Sequence, residues 1–194
     1  MSPGPEFVRP PRAHRGPIHL APADPAWPQQ YAEVEARITQ ALGPTAVVVE
    51  HVGSTSVPGL DAKPFLDVLL LVPDPADEAA YVTRLEDAGL LLHVREPDWH
   101  QHRYFRGHEP EVQVHVFAVG SEEGARMLAF RDRLRTDRAD RELYLETKRR
   151  LATRHWDRVQ DYADAKSDVV EEILERARGP QAPPPRPGRS VQDG

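Results

Sequence analysis

One segment, residues 46–72, constrains the fold more than any other part of the chain. Residues 46–52 are rich in valine, and a short run of β-branched residues is typical of a strand covered on both faces. Four small residues follow at 53–56, and a second apolar run occupies residues 65–72. The sequence therefore predicts two buried strands that are joined by a turn of small residues.

The turn has the composition of a phosphate-binding loop. Its four residues with small or absent side chains are Gly53, Ser54, Thr55 and Ser56. Backbone N–H groups that no bulky side chain shields can approach phosphate oxygens closely, and the three hydroxyl groups add further polar partners. We therefore expect all four residues to bind phosphate.

Asp67 is the one charged residue in the second apolar run, Phe65-Leu-Asp-Val-Leu-Leu-Leu-Val72. A lone carboxylate in a buried strand must be paired, hydrated or bound to a cation, because burying an unpaired charge is costly. The residues alone leave these three possibilities open. Asp67 is therefore the first candidate for a functional side chain.

The Gly-Ser turn and the downstream Asp67 resemble the nucleotidyltransferase superfamily of the polymerase-β type. Residues 53–67, Gly-Ser-Thr-Ser-Val-Pro-Gly-Leu-Asp-Ala-Lys-Pro-Phe-Leu-Asp, are similar to the signature of the GrpB family, a branch of that superfamily also found joined to dephospho-CoA kinase. Four further similar segments occur in the family's order: Asp24-Pro-Ala-Trp27, Gln113-Val-His115, Leu128-Ala-Phe-Arg-Asp132 and Tyr162-Ala-Asp-Ala-Lys-Ser-Asp168. The resemblance covers roughly residues 18–178. It implies an α+β fold with a mixed sheet of about five strands, packed by helices, and a C-terminal helical segment.

The resemblance also implies a chemistry. In the superfamily the Gly-Ser pair holds a nucleoside triphosphate and carboxylates hold Mg²⁺, so Asp67 and His115 become candidate metal ligands. This chain has Leu69 where the second acid usually stands, and Gln113 where the family usually has histidine. Because Mg²⁺ needs several oxygen ligands, one carboxylate is too few for two ions. We therefore expect one of two arrangements. Either a single metal is held by Asp67 with water, nucleotide phosphates and His115 or Glu50, while Lys63 supplies the charge of the second metal, or the site binds its ligand without turnover.

Two further segments carry polar residues at alternating, strand-like positions. Residues 99–106 form either an edge strand with a polar outer face or a strand that turns Arg103 toward an anionic substrate, for which arginine is suited. In the next segment Gln113 and His115 share one face, and valines occupy the other. If this strand lies beside the Asp67 strand, its polar face reaches the same cleft.

The remaining segments have helical patterns. Residues 27–42 carry an apolar stripe at helical spacing, and residues 121–178 have the periodicity of three helices. Lys148 and Lys166 lie in the second of these regions, and the last family motif includes Lys166. Both lysines could reach into a nucleotide cleft. Charges of alternating sign are typical of solvated helix faces, so a surface position is the expectation for both.

Composition narrows the classes of function. The chain of 194 residues has 25 basic and 31 acidic residues, a net charge of −6, and no cysteine, which argues against a broad nucleic-acid surface and excludes disulfides and thiolate metal sites. No run of about 18 apolar residues indicates a membrane span, and we expect a cytoplasmic protein. Residues 1–17 and 179–194 are rich in proline and are predicted to be disordered, whereas residues 18–178 are predicted to form one domain.

Three classes of function follow. The leading one is an enzyme that transfers a nucleotidyl or other phosphate-derived group to a small-molecule acceptor, with Mg²⁺ assistance, a nucleoside triphosphate as ligand, and Asp67, His115 and Lys63 as catalytic residues. The alternative is a nucleotide-binding or phosphate-binding regulatory module with a degenerate metal site. A protein-interaction role is the third. The chain has no basic stripe for long nucleic acid and no Gly-x-x-x-x-Gly-Lys motif, so polymerase-like and kinase activities are not expected.

Overall fold

A computed structural model describes residues 4–10 and 16–179 and contains one mixed sheet of six strands in the order β1-β4-β5-β6-β3-β2. The strands are β1 Glu6–Phe7, β2 Val48–Val52, β3 Leu66–Val72, β4 Leu91–Glu96, β5 His102–His108 and β6 Glu111–Ala118. Strands β3 and β6 run parallel, and every other neighbouring pair is antiparallel. The α+β class with a mixed sheet is therefore confirmed, with one strand more than the expected five.

Helices cover both faces of this sheet. They are α1 Trp27–Leu42, α2 Val82–Asp87, α3 Glu122–Thr136, α4 Arg138–Ala152, α5 Val159–Asp164 and α6 Ser167–Arg178. Helices α1 and α2 pack on one face, and α3 packs on the other, where α4 and α6 join it. None of the described helices is long and apolar enough to cross a membrane. The third predicted C-terminal helix is divided into α5 and α6.

The main core lies between α1 and the inner strands. Trp27, Val34, Ile38 and Leu42 of α1 are buried, as their spacing predicts, and the valines of β6 face them. Each fully buried aliphatic side chain of this kind stabilises the fold by about 1.5–3 kcal/mol. Before α1, a backbone N–H at Ala26 donates to Asp24 Oδ1 (2.8 Å), which organises the chain for the first helical turn.

The N-terminal segment departs from the predicted disordered leader. Glu6 and Phe7 form β1 and pair with Arg95 and Val94 of β4. Arg95 Nη1 also donates to Glu6 Oε1 (2.8 Å), so a charged contact accompanies the backbone pairing. Apart from Gly179, the predicted C-terminal tail lies outside the described residues.

Candidate functional site

The register of the two parallel strands assembles the site. Asp67 of β3 is paired with Gln113 of β6, and Leu69 is paired with His115. Paired residues on neighbouring strands present their side chains on the same face of a sheet. The expected convergence of Asp67, Gln113 and His115 is therefore confirmed, and they lie on the face that α3 partly covers.

The turn between β2 and β3 approaches Asp67 closely. Gly53 has φ 66° and ψ −169°, a backbone conformation open to glycine and strained for other residues. A Cβ atom on Gly53 would lie 2.2 Å from Asp67 Oδ2. The sequence therefore needs glycine at this position for two independent reasons, the backbone angle and the contact with the carboxylate.

The other turn residues divide between two sides. Thr55 is buried and its Oγ1 lies 3.0 Å from His51 Nε2, while Ser56 Oγ donates to the Gly53 carbonyl (2.6 Å). The Thr55 hydroxyl is therefore engaged with strand β2, and the Ser56 hydroxyl with the turn itself. Ser54 Oγ instead accepts a hydrogen bond from Lys148 Nζ (3.1 Å). Of the four predicted phosphate-binding residues, Gly53 and Ser54 border the Asp67 site.

Lysines from three segments of the chain surround Asp67. Lys148 of α4 is 2% exposed, and its ammonium group also donates to the Asp61 carbonyl. Lys63 precedes β3, and Lys166 lies at the start of α6. All three lysines act electrostatically on the Asp67 carboxyl group. The site thus gathers three ammonium groups around one carboxylate.

Two tyrosine rings support these ammonium groups. Lys166 Nζ lies 4.6 Å from the centre of the Tyr162 ring, and Lys63 Nζ lies 5.5 Å from the same centre. Lys148 Nζ lies 5.0 Å from the centre of the Tyr144 ring. Aromatic faces attract cations. The Tyr162 hydroxyl is buried and has no hydrogen-bond partner in the described structure.

Burial perturbs the pKa values of the whole group. It lowers the pKa of Lys148 to about 7 and those of Lys63 and Lys166 to about 8, and repulsion from Lys166 contributes at the other two lysines. Burial also raises the pKa of Asp67 to about 6, against the opposing attraction of the lysines. The Asp67 side chain keeps 24% exposure, but protein surrounds the carboxyl group on most sides, so its hydration is incomplete.

The positive charge at the site is not neutralised by ion pairs. Across residues 4–10 and 16–179, no lysine nitrogen lies within 4.0 Å of a carboxylate oxygen. The nearby Asp61 carboxylate is bound by Arg149 Nη2 (2.6 Å). When the lysines are protonated, the site therefore has excess positive charge and attracts an anion.

His115 borders the same carboxylate. Its Nε2 lies 4.0 Å from Asp67 Oδ1, and its Nδ1 lies 3.1 Å from His102 Nε2. Burial, together with His102, lowers the pKa of His115 to about 3, so this imidazole is neutral at physiological pH. A neutral imidazole beside a carboxylate can accept a proton or a hydrogen bond from a ligand.

A resident Mg²⁺ ion does not fit these side chains. Mg²⁺ prefers an octahedron of oxygen ligands, whereas Asp67 offers one carboxylate and His115 offers nitrogen. Glu50, on the neighbouring strand, is already bound by Arg131 Nη1 (2.7 Å). In the described ranges no group of three or more acidic and histidine side chains could hold a metal ion. Three ammonium groups beside Asp67 further oppose a second cation.

Arg103 is not brought to this site. Strand β5 is an internal strand between β4 and β6, and Arg103 points to the opposite face of the sheet from Asp67. It is 5% exposed, and its Nε donates to Glu78 Oε1 (2.6 Å), which Arg95 also binds (2.7 Å). The expected phosphate contact is therefore replaced by a buried ion pair. Alternation placed Arg103 on a common face with Phe105 correctly, but that face is the core side.

The two lysines expected on the surface, Lys148 and Lys166, belong to the site. A signal for them exists in the sequence: the chain has three lysines in total, and its 22 other basic residues are arginines. All three lysines meet at Asp67. Because lysine is scarce in this chain, the composition alone sets these three positions apart from the arginines.

Comparisons with known proteins agree with this fold. The model of the GrpB protein family matches residues 17–176. A UPF0157 protein of Halalkalibacterium halodurans is 51% identical over 166 residues, which are 86% of this chain and 85% of that protein. The crystal structure of conserved protein GrpB from Enterococcus faecalis superposes with a TM-score of 0.71 at 30% identity, over 82% of this chain and 96% of that one. A dephospho-CoA kinase of Mycolicibacterium paratuberculosis is 30% identical over 84% of this chain but 46% of its own length.

Proposed function

Because this chain belongs to the GrpB family, we propose that it binds a nucleoside triphosphate and transfers a nucleotidyl or other phosphate-derived group to a small-molecule acceptor. One observation carries the proposal: all three lysines of the chain surround Asp67 beside the Gly53-Ser54 turn. The side chains that bind the phosphates are Lys63, Lys148 and Lys166. Ser54 and the turn backbone add hydrogen bonds.

The charge of the site favours a polyphosphate over a singly charged ligand. Three ammonium groups and one carboxylate leave an excess of about two positive charges when the lysines are protonated. A triphosphate carries several negative charges on oxygens that accept hydrogen bonds from ammonium groups. Its binding gives each lysine an anionic partner, which the ligand-free site does not provide within ion-pair distance.

The same side chains can stabilise the transferring group. In phosphoryl and nucleotidyl transfer, catalysis consists mainly of positioning and of neutralising charge on the phosphate oxygens. Here the three lysines supply that neutralisation, where the superfamily uses metal ions. An acceptor hydroxyl between Asp67 and His115 attacks phosphorus, the bond to the leaving phosphate breaks, and the hydroxyl proton leaves toward these two residues.

A binding module without turnover is the second candidate. Leu69, in place of the second acid, favours it, because this position is then unable to assist transfer. Both candidates require the same lysine-based triphosphate site. They differ in whether a phosphate-derived group appears on an acceptor, which phosphorus NMR detects directly.

Calorimetry with Asp67→Asn distinguishes lysine-based from metal-based binding. We expect wild-type protein to bind ATP, GTP, CTP or UTP without added Mg²⁺. Asp67→Asn removes a negative charge from an anion site, so its affinity is expected to rise about fivefold, equivalent to about 1 kcal/mol. Transfer, where an acceptor supports it, is expected to fall by about 100-fold or more.

Arg103→Met is the matched control for this measurement. It removes a buried cation from the opposite face of the sheet, so the triphosphate affinity is expected to stay unchanged. A metal-dependent affinity that Asp67→Asn abolishes would contradict the lysine-based site and favour a magnesium site. If none of the four nucleotides binds, the proposed function is refuted.

A further inference from the structure

A chain of polar side chains leads from Asp67 to the edge of the molecule. His115 Nε2 lies 4.0 Å from Asp67 Oδ1, and His115 Nδ1 lies 3.1 Å from His102 Nε2. His102 Nδ1 in turn lies 2.7 Å from Glu96 Oε2. The Glu96 side chain is 30% exposed, whereas that of His102 is 5% exposed. The chain therefore connects the buried site with a carboxylate that contacts solvent.

Packing fixes the orientation of both imidazole rings. The His102 ring is stacked on Phe117 (4.7 Å between centres) and on His115 (5.3 Å). The edge of Trp99 closes a third side at 5.1 Å. Strand pairing places Glu96 opposite His102. Stacking fixes the planes of the rings, and the hydrogen bonds at both nitrogens of His102 fix the direction in which that ring faces.

The hydrogen bonds also determine which nitrogens carry protons. A carboxylate only accepts, so His102 Nδ1 donates to Glu96. A neutral His102 then has a lone pair on Nε2, which accepts from His115 Nδ1–H. His115 Nε2 is left unprotonated and faces Asp67, another acceptor. Without His102 and Glu96, His115 would carry its proton on Nε2 and donate it to the Asp67 carboxylate. These two residues therefore hold His115 in the other tautomer, with the proton on Nδ1.

We propose that His115 and His102 form a two-histidine relay, which accepts a proton at His115 Nε2 in the Asp67 site and stores it on His102 against Glu96. Its use in group transfer rests on the proposed function. The hydrogen-bond order stands on the geometry alone. His115 is the catalytic residue of this relay because it faces the reacting hydroxyl, and His102 and Glu96 are positioning residues that act through it.

The relay step balances in atoms and charge. The acceptor O–H bond breaks as its oxygen bonds to phosphorus, and the bond from phosphorus to the leaving phosphate breaks with its electron pair on that phosphate. A new N–H bond forms at His115 Nε2. At the same time the Nδ1–H bond of His115 breaks, and that proton forms an N–H bond at His102 Nε2. His115 stays neutral overall, and the new positive charge lies on His102 beside the Glu96 carboxylate. Because His115 loses one proton as it gains the other, no imidazolium forms at His115 next to the three lysines.

Other charged and titratable groups face the relay from the packed elements. Burial raises the pKa of Tyr104 on β5 above its usual range, so its hydroxyl keeps its proton. Glu123 of α3 acts electrostatically with His100 and His102, and burial raises its pKa. Besides His115, the group in hydrogen-bond contact with His102 is the Glu96 carboxylate.

Nitrogen-15 NMR of the histidine rings tests the relay without any substrate. At pH 8 we expect His115 to carry its proton on Nδ1, with Nε2 unprotonated. His102→Phe keeps the stack on Phe117 and removes both ring nitrogens, so His115 is expected to move its proton to Nε2 and donate to Asp67. His108→Phe, at an exposed histidine, is the control and leaves the His115 signals unchanged.

A wild-type protein with its His115 proton on Nε2, or a tautomer that His102→Phe does not change, would overturn the relay. So would a stoichiometric divalent cation that binds His115 Nε2. In transfer assays, Glu96→Gln is expected to lower kcat at least tenfold with an unchanged triphosphate Kd. An unchanged kcat would overturn the positioning role. Failure of triphosphate binding would refute the proposed function while the tautomer result still decides the relay.

Discussion

Lys166→Met is expected to make the ligand-free protein more stable and to weaken triphosphate binding by about 100-fold. Burial lowers the pKa of Lys166 to about 8 from its ordinary 10.5, so the charged ammonium opposes folding. Each pKa unit corresponds to about 1.4 kcal/mol, which gives a cost of about 3–4 kcal/mol. A methionine side chain removes this cost and retains the packing against Tyr162. The loss of one charge-assisted contact to phosphate accounts for the lower affinity.

The pH dependence of this gain has a definite sign. The folded-state pKa of Lys166 lies below its unfolded value, so wild-type protein carries the full penalty below about pH 8. The penalty disappears as pH rises toward 10.5, where the unfolded state also loses its proton. Thermal melts of the two proteins should therefore differ most near pH 7, by about 7–14 °C, and converge near pH 10.5.

Arg149→Met is the matched control for Lys166→Met. It removes the same charge from a residue near the site whose side chain is 59% exposed. Its affinity for triphosphate is expected to change less than about threefold, because exposed charges are screened. If Lys166→Met instead lowered the melting temperature and left the affinity intact, Lys166 would be a structural residue.

Gly53→Ala is expected to destabilise the protein by more than about 3 kcal/mol and to abolish ligand binding. The added methyl group would lie 2.2 Å from Asp67 Oδ2, and the glycine φ of 66° adds backbone strain. The turn has to move away from Asp67 to relieve this contact, which displaces Ser54 from Lys148. Thermal melting and triphosphate calorimetry measure the two effects, and the melting temperature should fall by at least about 6 °C.

Gly59→Ala separates the two causes. Gly59 has φ 76°, yet a Cβ atom there would meet nothing within 4 Å. This variant therefore reports backbone strain alone, about 1–2 kcal/mol, and should bind triphosphate normally. Equal losses for the two variants would show that the approach of the turn to Asp67 is unimportant.

Much of the fold was predictable because its elements follow from patterns of residues that are close together in the sequence. The apolar stripe of α1 and the alternation of β6 each follow from the spacing of residues close in sequence. The small residues between β2 and β3 identified the turn in the same way. The position of Arg103 was not predictable, because alternation defines two faces of a strand without saying which is covered. Its partner Glu78 lies in another segment, and only the folded chain brings them together.

The lysines show that local sequence pattern does not predict burial caused by long-range contacts. Lys148 lies in a helix rich in charged residues, where local pattern indicates a solvated surface. Its burial depends on the contact of α4 with the turn at Ser54, a long-range feature. Strand β1 was missed for a similar reason, since its two residues are strand-like only because the edge of β4 is available. Lysine scarcity was the one non-local signal in the composition.

The most direct test of the lysine site uses protein labelled with carbon-13 at lysine Cε, which gives one signal for each of Lys63, Lys148 and Lys166. In the ligand-free protein we expect the three signals to titrate with midpoints between about 7 and 8. Addition of a triphosphate should shift all three signals with one common saturation curve and raise all three midpoints. Midpoints near 10.5, or signals that the triphosphate leaves unchanged, would contradict an anion site built from these lysines.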